Sequence, residues 1–152
     1  MSNILYLILV SAVPLIEQKG AIPLGIWVYK MNPVLVYFVT LLGALLPIPF
    51  VLLMFHKILK WLEKYEVFSS FYNLIQRKIH KNKGLFEKYG ELALIIFIAI
   101  PLPTTGVWTG TAICAFLNFS FKKSTFCGVV GAALCGLIVT IIAVYFPAML
   151  GY

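Results

Sequence analysis

Residues 4–29 read ILYLILVSAVPLIEQKGAIPLGIWVY, and this stretch decides the fold class. Residues 4–16 carry no charge, yet thirteen residues fall short of the roughly 20 that a helix needs to cross a bilayer's hydrocarbon. The run breaks at Glu17-Gln18-Lys19-Gly20 and resumes as a second short apolar piece, 21–29. Two half-length apolar pieces around a charged, glycine-bearing break predict a hairpin that dips into the bilayer and leaves by the same face. Irregular backbone and ionisable groups at that depth are tolerated only where protein or water surrounds them.

Working outward, the pattern recurs. Residues 34–55 are apolar and long enough for a full span. Residues 92–117 are apolar but interrupted by Pro101-Leu102-Pro103-Thr104-Thr105-Gly106, where two prolines prevent a continuous helix. Residues 124–146 make a second full span, expected to stop at Pro147. The chain thus reads as one membrane domain in two copies. Copy one, 3–55, is a re-entrant hairpin (4–29) and a span (34–55). Copy two, 91–146, is a re-entrant hairpin (92–117) and a span (124–146). Pro23-Leu24-Gly25-Ile26-Trp27 matches Pro103 to Trp108 in its Gly-x-Trp step, and Asn32 and Asn118 follow within about ten residues. Broken helices in corresponding halves are the sequence mark of a transporter site.

Composition agrees. Of 152 residues 62% are hydrophobic and 11% charged, with a mean hydropathy of +0.99. Soluble domains are typically about 45–50% apolar and roughly 25% charged. The net charge of +7 comes from 12 Lys and Arg against five Glu, and eight of the cations lie in 56–90. Ile58, Trp61, Leu62, Tyr65, Phe68, Tyr72, Ile75 and Ile79 recur there at three- and four-residue steps. This predicts an amphipathic helical region at the cytoplasmic interface, its cations on anionic lipid headgroups, and not a nucleic-acid groove. With that region inside, the span 34–55 runs inward, and Lys122 and Lys123 stay inside only if 92–117 turns back. The expected location is the cell membrane, with several passes. Glu91 is expected at a helix N-terminus. Cys114, Cys127 and Cys135 lack metal-ligand spacing, and no metal or cofactor is expected. A start of Met-Ser-Asn, without a basic region, argues against a removable signal peptide.

Glu17 and Lys19 are the only charged residues in the apolar parts of either hairpin. Gly20 and Pro23 beside them, and Pro101, Pro103, Thr104, Thr105 and Gly106 in the other copy, expose backbone polar groups and hydroxyls. Two tips entering from opposite faces would meet near mid-membrane around one polar chamber. Glu17 is then the candidate proton- or cation-exchanging carboxylate, with Lys19 its switchable partner or a holder of anionic headgroups. The alternative is an ion pair that only pins the hairpin. Trp27 and Trp108 either anchor at the interface or line the chamber. The spacings Gly106/Gly110 and Gly128/Ala132/Gly136 predict close helix packing. No nucleophile set, phosphate loop or paired carboxylate is present, so no enzyme is expected.

The motifs carry a resemblance. Glu17-Gln18-Lys19-Gly20-Ala21-Ile22-Pro23-Leu24-Gly25 resembles the E-x-R-G-A-I-P-L-G signature of the small multi-drug export protein family. Pro101 to Gly110 resembles that family's P-L-P-G-T-G-x-W-T-G element. Lys19 stands for the family's Arg, keeping the charge without the planar fork, and Thr104 replaces a Gly. The family in turn resembles the wider DedA group, which implies two facing re-entrant hairpins packed with full spans. DedA relatives are associated with proton-coupled drug tolerance and with flipping lipid-linked carriers such as undecaprenyl phosphate.

The expected function is therefore a small secondary transporter, proton- or ion-coupled, exporting a small molecule through the hairpin chamber. The alternatives are a flippase or scramblase for a lipid or polyprenyl-phosphate carrier, and a membrane scaffold for anionic lipid. Two full spans wall a chamber thinly, so a homodimer is the expected assembly.

Overall fold

The computed structural model describes residues 2–62, 83–102 and 105–149. The described residues form helices α1 (Ser2–Ala12), α2 (Glu17–Pro23, continued by a π-helical turn, Leu24–Val28), α3 (Pro33–Leu45), α4 (Pro47–Leu62), α5 (Lys83–Ala99), α6 (Val107–Phe116) and α7 (Phe121–Met149). Pro103 and Thr104 lie outside the described residues. So does the core of the expected interfacial helix, residues 63–82.

Among the described residues, two helices are long and apolar enough to cross a membrane: Pro33–Phe55, made of α3 and the start of α4, and Phe121–Phe146 within α7. Less than half of each is buried, and the outward faces are apolar, with Leu42 and Phe50 each 61% exposed. A helix in the core of a soluble protein would be covered; these faces need hydrocarbon. Asn32 caps α3, its Oδ1 accepting the Val34 N–H at 2.9 Å, with Pro33 at the first helical position. The helix breaks at Leu46, whose N–H turns back to the Gly43 carbonyl at 3.3 Å, because Pro47 and Pro49 supply no donors.

Several boundaries differ from expectation. The first long helix continues past Phe55 to Leu62, and the next described helix begins at Lys83, so both flanks of 56–90 belong to α4 and α5. Glu91 is consequently mid-helix; it pairs with Lys123 at 2.7 Å. The second long helix begins at Phe121 and runs through Pro147 to Met149. Pro147 leaves the Ala143 carbonyl without its helical donor, and the Trp27 indole N–H fills that place at 2.8 Å.

Each broken segment doubles back. The ends of the first meet where Tyr6 and Tyr29 pack edge to face, 6.2 Å between centroids. In the second, Ile98 lies against Gly110 and Leu94 packs with Cys114 and Leu117, so α5 and α6 run antiparallel. The long helices also run antiparallel: Tyr37 donates to the Ala133 carbonyl and faces Gly136, Ala44 clusters with Ala132, and Ile48 faces Gly128. The first limbs run parallel to the long helix of their own half. Ile8 and Ser11 of α1 meet Gly43, and Glu91 and Ile98 of α5 meet Lys123 and Gly131. The second limbs cross over: α2 packs on α7, and α6 on α4.

This geometry separates the two Gly-x-Trp steps. Gly106 and Trp108 start α6 at the turn of their segment, whereas Gly25 and Trp27 lie at the far end of theirs, in the π-helical turn. Asn32 and Asn118 differ too. Asn118, at φ 57°, ends α6 with Phe119 N–H on the Cys114 carbonyl and its own N–H on Ala115. Its counterpart is Lys30, at φ 52°, with Met31 N–H on the Gly25 carbonyl. Each of these left-handed residues stands three positions before the first residue of its long helix, Pro33 or Phe121.

Candidate functional site

The turns of the two doubled segments touch. In the first, Val13–Ile16 ends α1, and the chain passes through positive φ at Leu15 (74°) and Glu17 (47°). Residues two apart on a regular helix do not face each other. The left-handed backbone at Glu17 takes it off the helical path, so its carboxylate meets the Lys19 ammonium at 3.3 Å. Glu17 is 5% exposed.

The second turn closes around this pair. Glu17 Oε1 accepts the Trp108 backbone N–H at 3.2 Å, so a carboxylate from one segment caps α6 of the other. An anion there meets unpaired N–H groups and the positive end of the helix dipole. Gly106 packs directly against the carboxylate, where a Cβ would overlap it, and adopts φ 156° with ψ −166°, a region kept to glycine. Lys19 Nζ donates to the Leu102 carbonyl at 2.7 Å and to the Thr105 carbonyl. With Glu17, these acceptors match the three donors of an ammonium.

Of the residues singled out from sequence, Glu17, Lys19, Thr105, Gly106 and Trp108 thus come together. Thr105 faces Lys19 with its carbonyl, while its hydroxyl donates within its own turn, to Ile100 O at 2.6 Å. Pro101 lies in that turn; Gly20 is exposed against Ile16, and Pro23 lies inside the helix started by Glu17. The Trp108 indole N–H donates to Ala12 O at 3.1 Å, at the end of α1, and Trp27 is remote from the pair, on Ala143. Both indoles tie helices together.

Gln18 went unremarked in the sequence and is the most enclosed of the polar triplet, 2% exposed. Its Nε2 donates to the Ala132 carbonyl at 3.1 Å; its Oε1 lies against Gly136 with no hydrogen-bond partner. Ala132 is near the middle of Phe121–Phe146, so the bond fixes the polar turn halfway along the second long helix. The signal was available as three consecutive polar residues in an apolar stretch, opposite the small positions 132 and 136 of α7.

Chemically, the arrangement is a buried, self-neutralised ion pair shared by two chain segments. It presents three oxygens, one from the Glu17 carboxylate and two from the Leu102 and Thr105 carbonyls, to a single cation. No curated protein and no solved structure matches the chain. A family profile does match, over residues 17–138, beginning at the carboxylate just described and covering the second turn, the first long helix and most of the second. This chain belongs to the small multi-drug export protein family.

Proposed function

We propose that this membrane protein is a small secondary transporter, exporting a small molecule in exchange for a proton or another cation. The two doubled segments are re-entrant hairpins that enter from opposite faces, and the two halves form an inverted repeat. Antiparallel long helices, first limbs parallel to their own long helix and second limbs crossed onto the other support that arrangement. α1, at 11 residues, is about 17 Å long, close to half of the roughly 30 Å of hydrocarbon. The eight cations of 56–90 support a cytoplasmic side for that region.

One observation carries the reading: Glu17 and Lys19, level with Ala132, are held jointly by Leu102, Thr105 and Trp108 of the opposite turn. An ion pair that only pinned one hairpin would not need acceptors and a donor from the other. Glu17 is the coupling carboxylate, Lys19 its exchangeable partner, and Gly106 with the Leu102 and Thr105 carbonyls the opposing wall. A flippase reading would require Lys19 to present donors to a lipid phosphate, and here all three are engaged within the protein.

The test is uptake of radiolabelled putrescine, with ethidium as a parallel probe, into proteoliposomes under an imposed pH gradient, with sodium and potassium gradients as parallel arms. Glu17→Gln should reduce gradient-driven uptake to the level of protein-free liposomes. Undiminished uptake by the variant, or uptake indifferent to every gradient, would refute the assignment.

A further inference from the structure

We infer that the three oxygens around the Lys19 ammonium form a cation site filled from within, and that the external ligand it takes is a primary ammonium group. The inference deepens the transporter reading by naming the substrate class, and rests on that reading only for the site's role.

The acceptors are held in place without Lys19. Glu17 is fixed by the Trp108 N–H and by the close wall of Gly106. The Leu102 and Thr105 carbonyls belong to a turn that the Thr105 hydroxyl closes, donating to Ile100 O at 2.6 Å and lying 3.2 Å from Leu102 O. The cage is thus organised before any ligand arrives, which is what keeps the ordering cost of binding low. Its chemistry is selective. One carboxylate oxygen and two carbonyl oxygens suit the three N–H bonds of an R–NH3+ group. A quaternary ammonium has the charge but no donors, and a guanidinium presents a planar fork. Removal of Lys19 would leave a buried carboxylate without its counter-charge, which is strongly unfavourable. Lys19 therefore leaves only as another cation arrives, which makes the site an exchanger of cations.

Lys19→Ala excises the side chain beyond Cβ, and the missing piece is n-propylammonium. The experiment measures the thermal unfolding midpoint of the full-length, detergent-purified variant with propylammonium chloride or tetramethylammonium chloride at matched ionic strength. Propylammonium should raise the midpoint by about 3 °C near saturation. Tetramethylammonium should not, and the rise should vanish in the Glu17→Gln/Lys19→Ala double variant. The parent protein should show no rise at the same amine concentration, because the tethered ammonium competes at a far higher effective concentration. If Lys19→Ala cannot be isolated alone, purification with propylammonium throughout should recover it. Equal responses to the two amines, a rise that survives in the double variant, or no recovery with amine present would each overturn the proposal. The readout is binding, so a protein that fills the cage yet moves nothing would fail the transport reading alone.

Discussion

Gly106 satisfies two demands at once, a backbone conformation open to glycine and the absence of a Cβ in front of the Glu17 carboxylate. Gly106→Ala should therefore lower stability by about 2 kcal/mol and uncap α6, read as a lower unfolding midpoint together with lost transport. Trp108→Phe separates the two roles of its position. The backbone N–H to Glu17 remains and the indole bond to Ala12 O is lost, so the expected cost is about 1 kcal/mol, measurable by denaturant titration. At this scale the sequence was half legible. Glu17 and Lys19 stood out because charge in an apolar run demands a partner. Gln18 did not, because a neutral amide raises no such demand until its burial is seen. The role of Thr105 was misread, since its type advertises a hydroxyl while its carbonyl does the binding.

Between elements, the packing of α1 on α3 depends on Gly43, where a Cβ would run into Ser11 Oγ and the Ile8 carbonyl. One of those obstacles is backbone and cannot rotate away, so Gly43→Val should cost more than about 2 kcal/mol in a detergent unfolding assay. Ile98 makes the equivalent contact on Gly131, and it also abuts Gly110. The bond from Trp27 to Ala143 O makes a sharper prediction, because its acceptor is vacant only through Pro147. Trp27→Phe should cost about 1 kcal/mol in the parent and close to nothing in a Pro147→Ala background, the difference being read as a double-mutant cycle. The sequence announced where helices break, since prolines and charges mark those places. It misjudged where they end: Pro147 looked terminal because the donor compensating for it sits 120 positions earlier, at Trp27.

Across the whole molecule, the proposed repeat sets the two halves at a spacing that the Gly-x-Trp match does not give. The Gly-x-Trp steps are 81 positions apart, but the contacts pair Gly43 with Gly131 and the left-handed turns pair Lys30 with Asn118, both 88 apart. The short match was attractive because tryptophan is rare; the register of the proposed repeat rests on the commonplace Gly43-Ala44 and Gly131-Ala132. Topology offers the direct check. The native cysteines are buried, so a single introduced thiol can be read alone. In intact cells, Lys30→Cys should react with a membrane-impermeant maleimide, and Lys122→Cys only after the membrane is opened. The reverse pattern would invert the orientation, and labelling of both from outside would end the inverted-repeat proposal.

The enclosed pair of Glu17 and Lys19 also has an electrical consequence. Its charges cancel, so a resting carrier filled by its own Lys19 would displace no net charge across the hydrocarbon if it turned from one face to the other. The transmembrane voltage, about 2.3 kcal/mol per elementary charge per 100 mV, then finds nothing to act on in that idle state. In the proposed exchange only the steps that carry cargo or the counter-moving cation would feel the field, and the resting protein would not drain the potential on which its host depends.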